Sequence, residues 1–306
     1  LSQLYHEHKR GMPAGYAKFE TFPIWNLPLK HPVNLAYEAA TADLQDVNLL
    51  DPFHLEAYGS LAVNYNRDVE IFPVLRSILE SIGSNFNYRS PTDMGVNMAG
   101  LCIVDDEVCR EASRDEIVRR YYAALFAARK GFDDGSGYKL ELVMQQAGVD
   151  TSRRRVVAPA LRRAEETGEP AAALELADGT FVTGKTSALL GASAALLLNA
   201  LKVLGNIHDD IHLLSPIVIE PIQRLKTEHL GNGNPRLHTD EILIALSISA
   251  ATNPTAALAM SQLSKLRGLE AHSSVILSEV DSNTFKKLGI NLTCEPRYQT
   301  KRLYHK

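Results

Sequence analysis

The chain has 306 residues, 45% hydrophobic and 22% charged, with a formal net charge of −4 at pH 7. This composition is ordinary for a globular protein, and the length suffices for two or three domains. The acidic balance excludes a polyanion-binding surface and, with it, nucleic acid as a partner; the local basic group of Arg153, Arg154, Arg155, Arg162 and Arg163 reads as a solvated helix face. The three cysteines, Cys102, Cys109 and Cys294, have no paired metal-ligand spacing and predict reduced thiols in a cytoplasmic protein. The longest apolar run, residues 188–201, is interrupted by Gly191, Ser193 and Asn199. It is short for a membrane span, so it predicts a buried helix and no membrane partner.

In chain order, residues 1–10 carry helical spacing and stop at Gly11, a normal helix end. Residues 15–20 alternate and predict a strand. Residues 32–44 predict a helix with Pro32 in a first helical position. Asp68 is placed to cap a helix that ends at Gly83. A polar loop, residues 84–100, precedes a long helix over 105–130, then helices over 138–146 and 153–166. Alternation on both sides of Asp178 and Gly179 predicts a β-hairpin. A helix over 187–204 follows, then helices near 221–230, 240–251 and 254–267. A strand after Gly268, a helix over 283–288 and a strand over 290–294 close the pattern.

Residues 15–68 hold the densest set of polar candidates on loop-forming sequence: Lys18, Glu20, Asn26, Lys30, His31, Asp51, His54, Asn64, Asn66 and Asp68, with Trp25 among them. Such loops on a rigid scaffold are where binding and chemistry concentrate. Lys18, Lys30 and His31 suit an anionic group, and His31 can also move protons near neutral pH. Asp51 and His54 form a second candidate pair that one structural hydrogen bond would also explain. In SPTDMGVNMAG, Asp93 and Asn97 suit a metal-bound or hydroxyl-rich ligand, against the competing reading of a turn and a helix cap. Residues 179–186, GTFVTGKT, match the phosphate-loop pattern G-x-x-x-x-G-K-[ST]. Thr180, Phe181, Val182 and Thr183 prefer a strand, however, and Gly179 is explained by the turn. The weaker reading leaves Gly184, Lys185, Thr186 and Ser187 at a helix N-terminus able to hold an anion. His208 and His212 lie four apart but in a turn-forming acidic segment, so metal binding there competes with a solvated loop.

The runs YAKFETFPIWNLPLKHPVNLAYEAATADL, DPFHLEAYG, VNYNRDVEIFPVL, SPTDMGVNMAG, VTGKTSALLGASAALLLNALK and TCEPRYQTKRLYHK together resemble a bacterial family, uncharacterised protein family 0371. The resemblance implies a longer protein, of which this chain is the C-terminal three-fifths, with an upstream glycine-rich loop ending in Gly-Ser-Gly-Lys just before Leu1. With residues 1–68 as the remainder of an N-terminal α/β domain, as the resemblance implies, the elements read along the chain predict a mixed α+β organisation: 69–168 as a mainly helical unit and 169–306 as a C-terminal layered α/β domain.

The leading functional expectation is a cytoplasmic enzyme for a nucleotide or phosphorylated metabolite, acting as a homo-oligomer. His31, Asp51, His54 and Asp93 are its catalytic candidates. Lys18, Glu20, Asn26, Lys30, Asn66, Asp68, Asn97, Lys185, Thr186 and Ser187 are its ligand-binding candidates. Mg²⁺ accompanying a nucleotide would fall to Asp51 or Asp68. The alternatives are a metal-assisted hydrolase with its site in this chain, and a non-catalytic ligand-binding or scaffold protein. Lys18, Lys30, His31, Asp51 and His54 are expected to meet in one cleft, joined by Asp93 or Asn97. Two polar loops flank one helix of about fifteen residues, only ~22 Å long.

Overall fold

The computed structural model describes residues 1–18, 22–83 and 87–299. The fold is mixed α+β, and the chain divides into two compact units: residues 1–124 with 132–153, and residues 125–131 with 154–306.

In the first unit, α1 (Ser2–Lys9) packs through Leu4 against Phe72, Leu79 and Met94. α2 (Pro32–Ala40) starts where Pro32 supplies a helical φ and His31 Nδ1 accepts the Val33 amide at 3.3 Å. β1 (Asn48–Leu50) and β2 (Val63–Tyr65) pair antiparallel, with Asn48 opposite Tyr65. Between them runs α3 (Pro52–Tyr58), capped by Asp51 and closed by Gly59 at φ +67°. α4 (Asn66–Ile82) starts two residues before Asp68, which therefore lies in its first turn, and it carries Pro73 without breaking. α5 (Asp106–Arg129), whose residues 125–129 belong to the second unit, and α6 (Ser136–Ala147) follow. The expected strand over 15–20 is not formed by residues 15–18, and residues 19–20 lie outside the described ones. The nearest extended pairing is a single parallel bridge between Ile24 and Asn97.

In the second unit, α7 (Val157–Thr167) leads into the hairpin of β3 (Ala171–Glu175) and β4 (Phe181–Lys185). The turn falls where the alternation placed it: Gly179 has φ +82°, and the Thr180 amide donates to Asp178 Oδ1 at 2.9 Å. α8 (Ala192–Leu204) lies over this hairpin, burying Leu196, Leu197 and Leu201 completely. Burying each such side chain contributes roughly 1.5–3 kcal/mol. Asn199, the polar residue of this apolar helix, is satisfied by donating to the Thr183 carbonyl at 2.9 Å.

α8 begins at Ala192, not at residues 185–187. Ser187 Oγ accepts the Leu189 and Leu190 amides at 3.2 and 3.1 Å, and the Ser187 amide donates to the Leu190 carbonyl. That local turn consumes the residues expected to open the helix. Next come α9 (Pro216–Arg224), extended by one π-helical turn over Leu225–His229, then α10 (Thr239–Ala250) and α11 (Pro254–Met260). β5 (Glu270–Ser273), α12 (Glu279–Lys287) and β6 (Asn291–Cys294) form a β–α–β crossover with parallel strands. The sheet order is β4–β3–β5–β6, antiparallel except for β5–β6.

Candidate functional site

A 290 Å³ pocket in the first unit is lined by Tyr16, Ala17, Lys18, Arg67, Asp68, Ile71, Phe72, Leu75, Pro91 and Met94. One wall is apolar, contributed mostly by α4. The other carries charge. Lys18 Nζ lies 3.1 Å from Asp68 Oδ2, 3.4 Å from Asn64 Oδ1 and 4.6 Å from the centre of the Phe22 ring. Both side chains of the Lys18–Asp68 pair are 7% exposed. The ammonium is within ion-pair distance of Asp68 Oδ2, and no hydrogen bond reaches that buried oxygen among the described residues. An acceptor of this kind suits a donor carried by a ligand.

Behind Lys18 the polar chain runs inward. Asn64 Nδ2 donates to Thr92 Oγ1 at 2.9 Å, and Thr92 Oγ1 donates to Asp51 Oδ2 at 2.6 Å. Asp51 Oδ1 accepts the His54 amide at 3.0 Å, which caps α3. Asp51 is therefore bonded at both oxygens and anchors the network. His54 Nδ1 lies 3.2 Å from Ser90 Oγ, with its ring edge-on to Trp25 and tilted against Tyr58. Asp93 Oδ2 accepts from the Arg89 and Ser90 amides and the Tyr58 hydroxyl at 2.7, 3.0 and 3.0 Å. With Ser90 it forms a capping box on the short turn Pro91–Met94. Lys18, Asn64, Thr92, Asp51 and Asp68 are thus one connected cluster, with His54, Ser90 and Asp93 forming a linked turn.

Other candidates stand elsewhere. His31 is 3% exposed and committed at both nitrogens: Nδ1 caps α2, and Nε2 lies 3.0 Å from Asp106 Oδ1. Burial, then the nearby Arg110 charge, lowers its pKa, so the neutral ring that the cap requires is the favoured form. Lys30 and Asn26 are exposed. Asn66 Oδ1 accepts the Val47 amide at 2.9 Å. Asn97 Nδ2 donates to the Phe22 carbonyl and its Oδ1 accepts the Ala99 amide, both at 3.0 Å. Glu20 lies outside the described residues. In the second unit, Lys185 ends β4 exposed, Thr186 is buried with its amide on the Pro170 carbonyl, and Ser187 holds its own turn. Because α8 starts six residues after Thr186 and Ser187 is spent locally, no helix N-terminus gathers these three around an anion.

Two family models account for nearly the whole chain. The N-terminal part of the domain of unknown function DUF1846 matches residues 1–148, and its C-terminal part matches residues 152–304. The chain belongs to the DUF1846 family. It is 62% identical to a UPF0371 protein of Corynebacterium urealyticum, 61% to one of Corynebacterium efficiens and 56% to one of Streptococcus pneumoniae. Each match covers all of this chain and 62% of the relative, so the chain spans about three-fifths of the length of these family members.

Among the described residues, no group of three or more His, Cys, Asp and Glu is placed to hold a metal ion. His208 sits in an exposed turn with Nδ1 3.4 Å from Asp210 Oδ2. No described helix is long and apolar enough to cross a membrane. The three cysteines carry free thiols, and burial, with Glu295 nearby, pushes Cys294 up to about 11. Sequence reasoning passed over Thr92 and Arg67. Thr92 joins Asn64 to Asp51 across gaps of 28 and 41 residues, a pairing that no local pattern signals.

Proposed function

We propose that the chain contributes the binding site of an enzyme acting on a small phosphorylated metabolite, with the ligand seated in the pocket beside Lys18. The phosphate would face the Lys18 ammonium, and a hydroxyl or amino group of the ligand would donate to Asp68 Oδ2. The observation that carries this reading is the Lys18–Asp68 pair among the residues lining the pocket, an ammonium 3.1 Å from a carboxylate oxygen that takes no hydrogen bond among the described residues. The apolar wall of Ile71, Phe72, Leu75 and Met94 suits the less polar body of such a ligand. A nucleotide is one member of the class. Since Asp51 is bonded at both oxygens, Mg²⁺ accompanying a nucleotide would fall to Asp68.

The test is a thermal-shift panel of inorganic phosphate, sugar phosphates and ATP, with and without Mg²⁺. Binding at a hundredfold excess over Kd stabilises by about 2.7 kcal/mol. The comparison protein is the double variant Lys18→Met with Asp68→Leu, since replacing both partners of a buried ion pair costs far less than removing one. The reading expects at least one phosphorylated compound to raise the wild-type Tm and to leave the double variant unmoved. A panel with no shift, or equal shifts in the two proteins, overturns it.

A further inference from the structure

Residues 242–264 contain no charged side chain and no aromatic ring, although the chain as a whole is 22% charged. They form most of α10, all of α11 and the turn that follows. The fold puts this run half inside and half outside. Ile242, Ala245 and Leu246 of α10 and Ala256 and Ala259 of α11 are buried in the core that α8 builds. Both helices pack on α8 and on each other, and only residues 251–253 join them, so they lie side by side as a helical hairpin.

The opposite side of that hairpin faces solvent. α10 presents Ile244, Ser247 and Ile248 there, and α11 presents Ala257, Leu258 and Ser261, each set spaced by one, three or four residues along one helix face. Ile244 is 62% exposed, Ile248 70% and Leu258 45%. Branched aliphatic side chains left this open on neighbouring helices, with no charge between them, mark a surface that association would take out of water.

The charges that bound the patch say what covers it. Asp240 and Glu241 precede the uncharged run, and Lys265 and Arg267 follow it. Glu241 is engaged by Lys226, while Asp240, Lys265 and Arg267 are exposed. Because the hairpin reverses, its acidic start and its basic finish stand at the same end. A two-fold axis running along the hairpin lays α10 of one copy over α11 of the other, which brings Asp240 to the partner's Lys265 and repeats the contact on the other side. Within the patch a two-fold sets like residues against like, a disposition that charges would oppose and that this face, having none, permits. A lipid surface is the poorer match, since interfacial helices carry Lys and Arg on their polar face and aromatic anchors on the other, whereas α10 opens on acidic residues.

The area sets the strength. The twelve residues of α10 run about 18 Å and two helices side by side are about 20 Å across, so each copy offers a footprint of roughly 400 Å², half of the ~800 Å² per partner in a standard interface. We propose that the outer face of α10 and α11 is a two-fold interface between two copies of this chain, which pair reversibly.

Sedimentation of the full chain across the micromolar range tests this. The wild type should pass from monomer to dimer as concentration rises. Ile248→Asp, at an exposed position that the fold tolerates, should raise the dimer Kd at least ~tenfold. Asp240→Lys should weaken the dimer, and adding Lys265→Glu with Arg267→Glu to the same chain should restore it. A wild type that stays monomeric throughout overturns the proposal, and its co-sedimentation with phosphatidylcholine–phosphatidylglycerol vesicles would assign the face to lipid instead. Ile248→Asp, shown folded by circular dichroism, that pairs as tightly as the wild type also overturns it, as does a charge reversal that the compensating changes leave unrepaired.

Discussion

Gly184 lies in β4 opposite Ala172, directly beneath α8. A methyl group at this position would stand 2.1 Å from Leu196 N, 2.5 Å from Leu196 Cα and 2.7 Å from Ala195 C. All three atoms are backbone, so no side chain can turn aside to make room. The substitution Gly184→Ala must therefore push α8 off the hairpin, loosening Leu196, Leu197 and Leu201, all fully buried. Overpacking of side chains costs ~1–3 kcal/mol, and a backbone clash belongs at the top of that range, roughly 3 kcal/mol. For a protein of this size each kcal/mol lowers Tm by about 2–4 °C, which gives a fall of about 6–12 °C. Scanning calorimetry and urea denaturation of the two proteins measure it. A loss below ~1 kcal/mol, the ordinary size of a mild substitution, would refute the close-packing account of the glycine and reopen the phosphate-loop reading of GTFVTGKT.

Three further outcomes are expected. Thr92→Val keeps the shape but removes the hydroxyl joining Asn64 to the buried Asp51; the lost charge-assisted bond should cost about 1.5–3 kcal/mol in urea denaturation, and a neutral result would mean that the network bears no load. His31 is held below its ordinary pKa by burial and then Arg110, so the unfolded chain binds its proton more readily: the stability it contributes is complete above pH 6.5 and declines as pH falls through 6.5 toward the folded value. His31→Asn keeps a cap acceptor that does not titrate, and its urea midpoint should change less than the wild type's between pH 8 and pH 5; equal changes would count against the cap. His238 is shifted the other way, chiefly by its bond to Asp281, so its contribution is complete below 6.5 and is lost as pH rises through the folded value. The stability gap between wild type and His238→Gln should accordingly be wider at pH 5.5 than at pH 9.

What could be read from the residues alone follows the range of the forces involved. The hairpin at Asp178 and Gly179 was legible because the turn and both alternating strands are local. So was the burial of most of the apolar run 188–201, although Ala188 is exposed and residues 188–191 precede α8, and so was the need for Asn199 to find a partner. The start of α8 was not legible, since Ser187 spends its hydroxyl on a turn that looks like a cap from its residue type. β1 and β2 escaped because three residues with Leu49 and Leu50 exposed carry no alternation. In the candidate site, residue types pointed to the stretch that carries Lys18, Asp51 and Asp68 but not to the partners of these residues. The pairing of Lys18 with Asp68 and Asn64 spans 50 and 46 residues and is set by how α4 and β2 pack. Pro32 marks the start of α2, but that the preceding His31 caps it through Nδ1 depends on a rotamer, which no spacing encodes.

We propose that Lys18 and Asp68 form the polar wall of a site for phosphorylated ligands. The most direct measurement is the ³¹P resonance of AMP titrated with the wild-type protein and with Lys18→Met, Asp68→Leu, each shown folded by circular dichroism. The account predicts saturable broadening or displacement of the AMP signal by the wild type and none by the double variant. An identical response from both folded proteins, or a resonance that the wild type leaves unmoved, would contradict it.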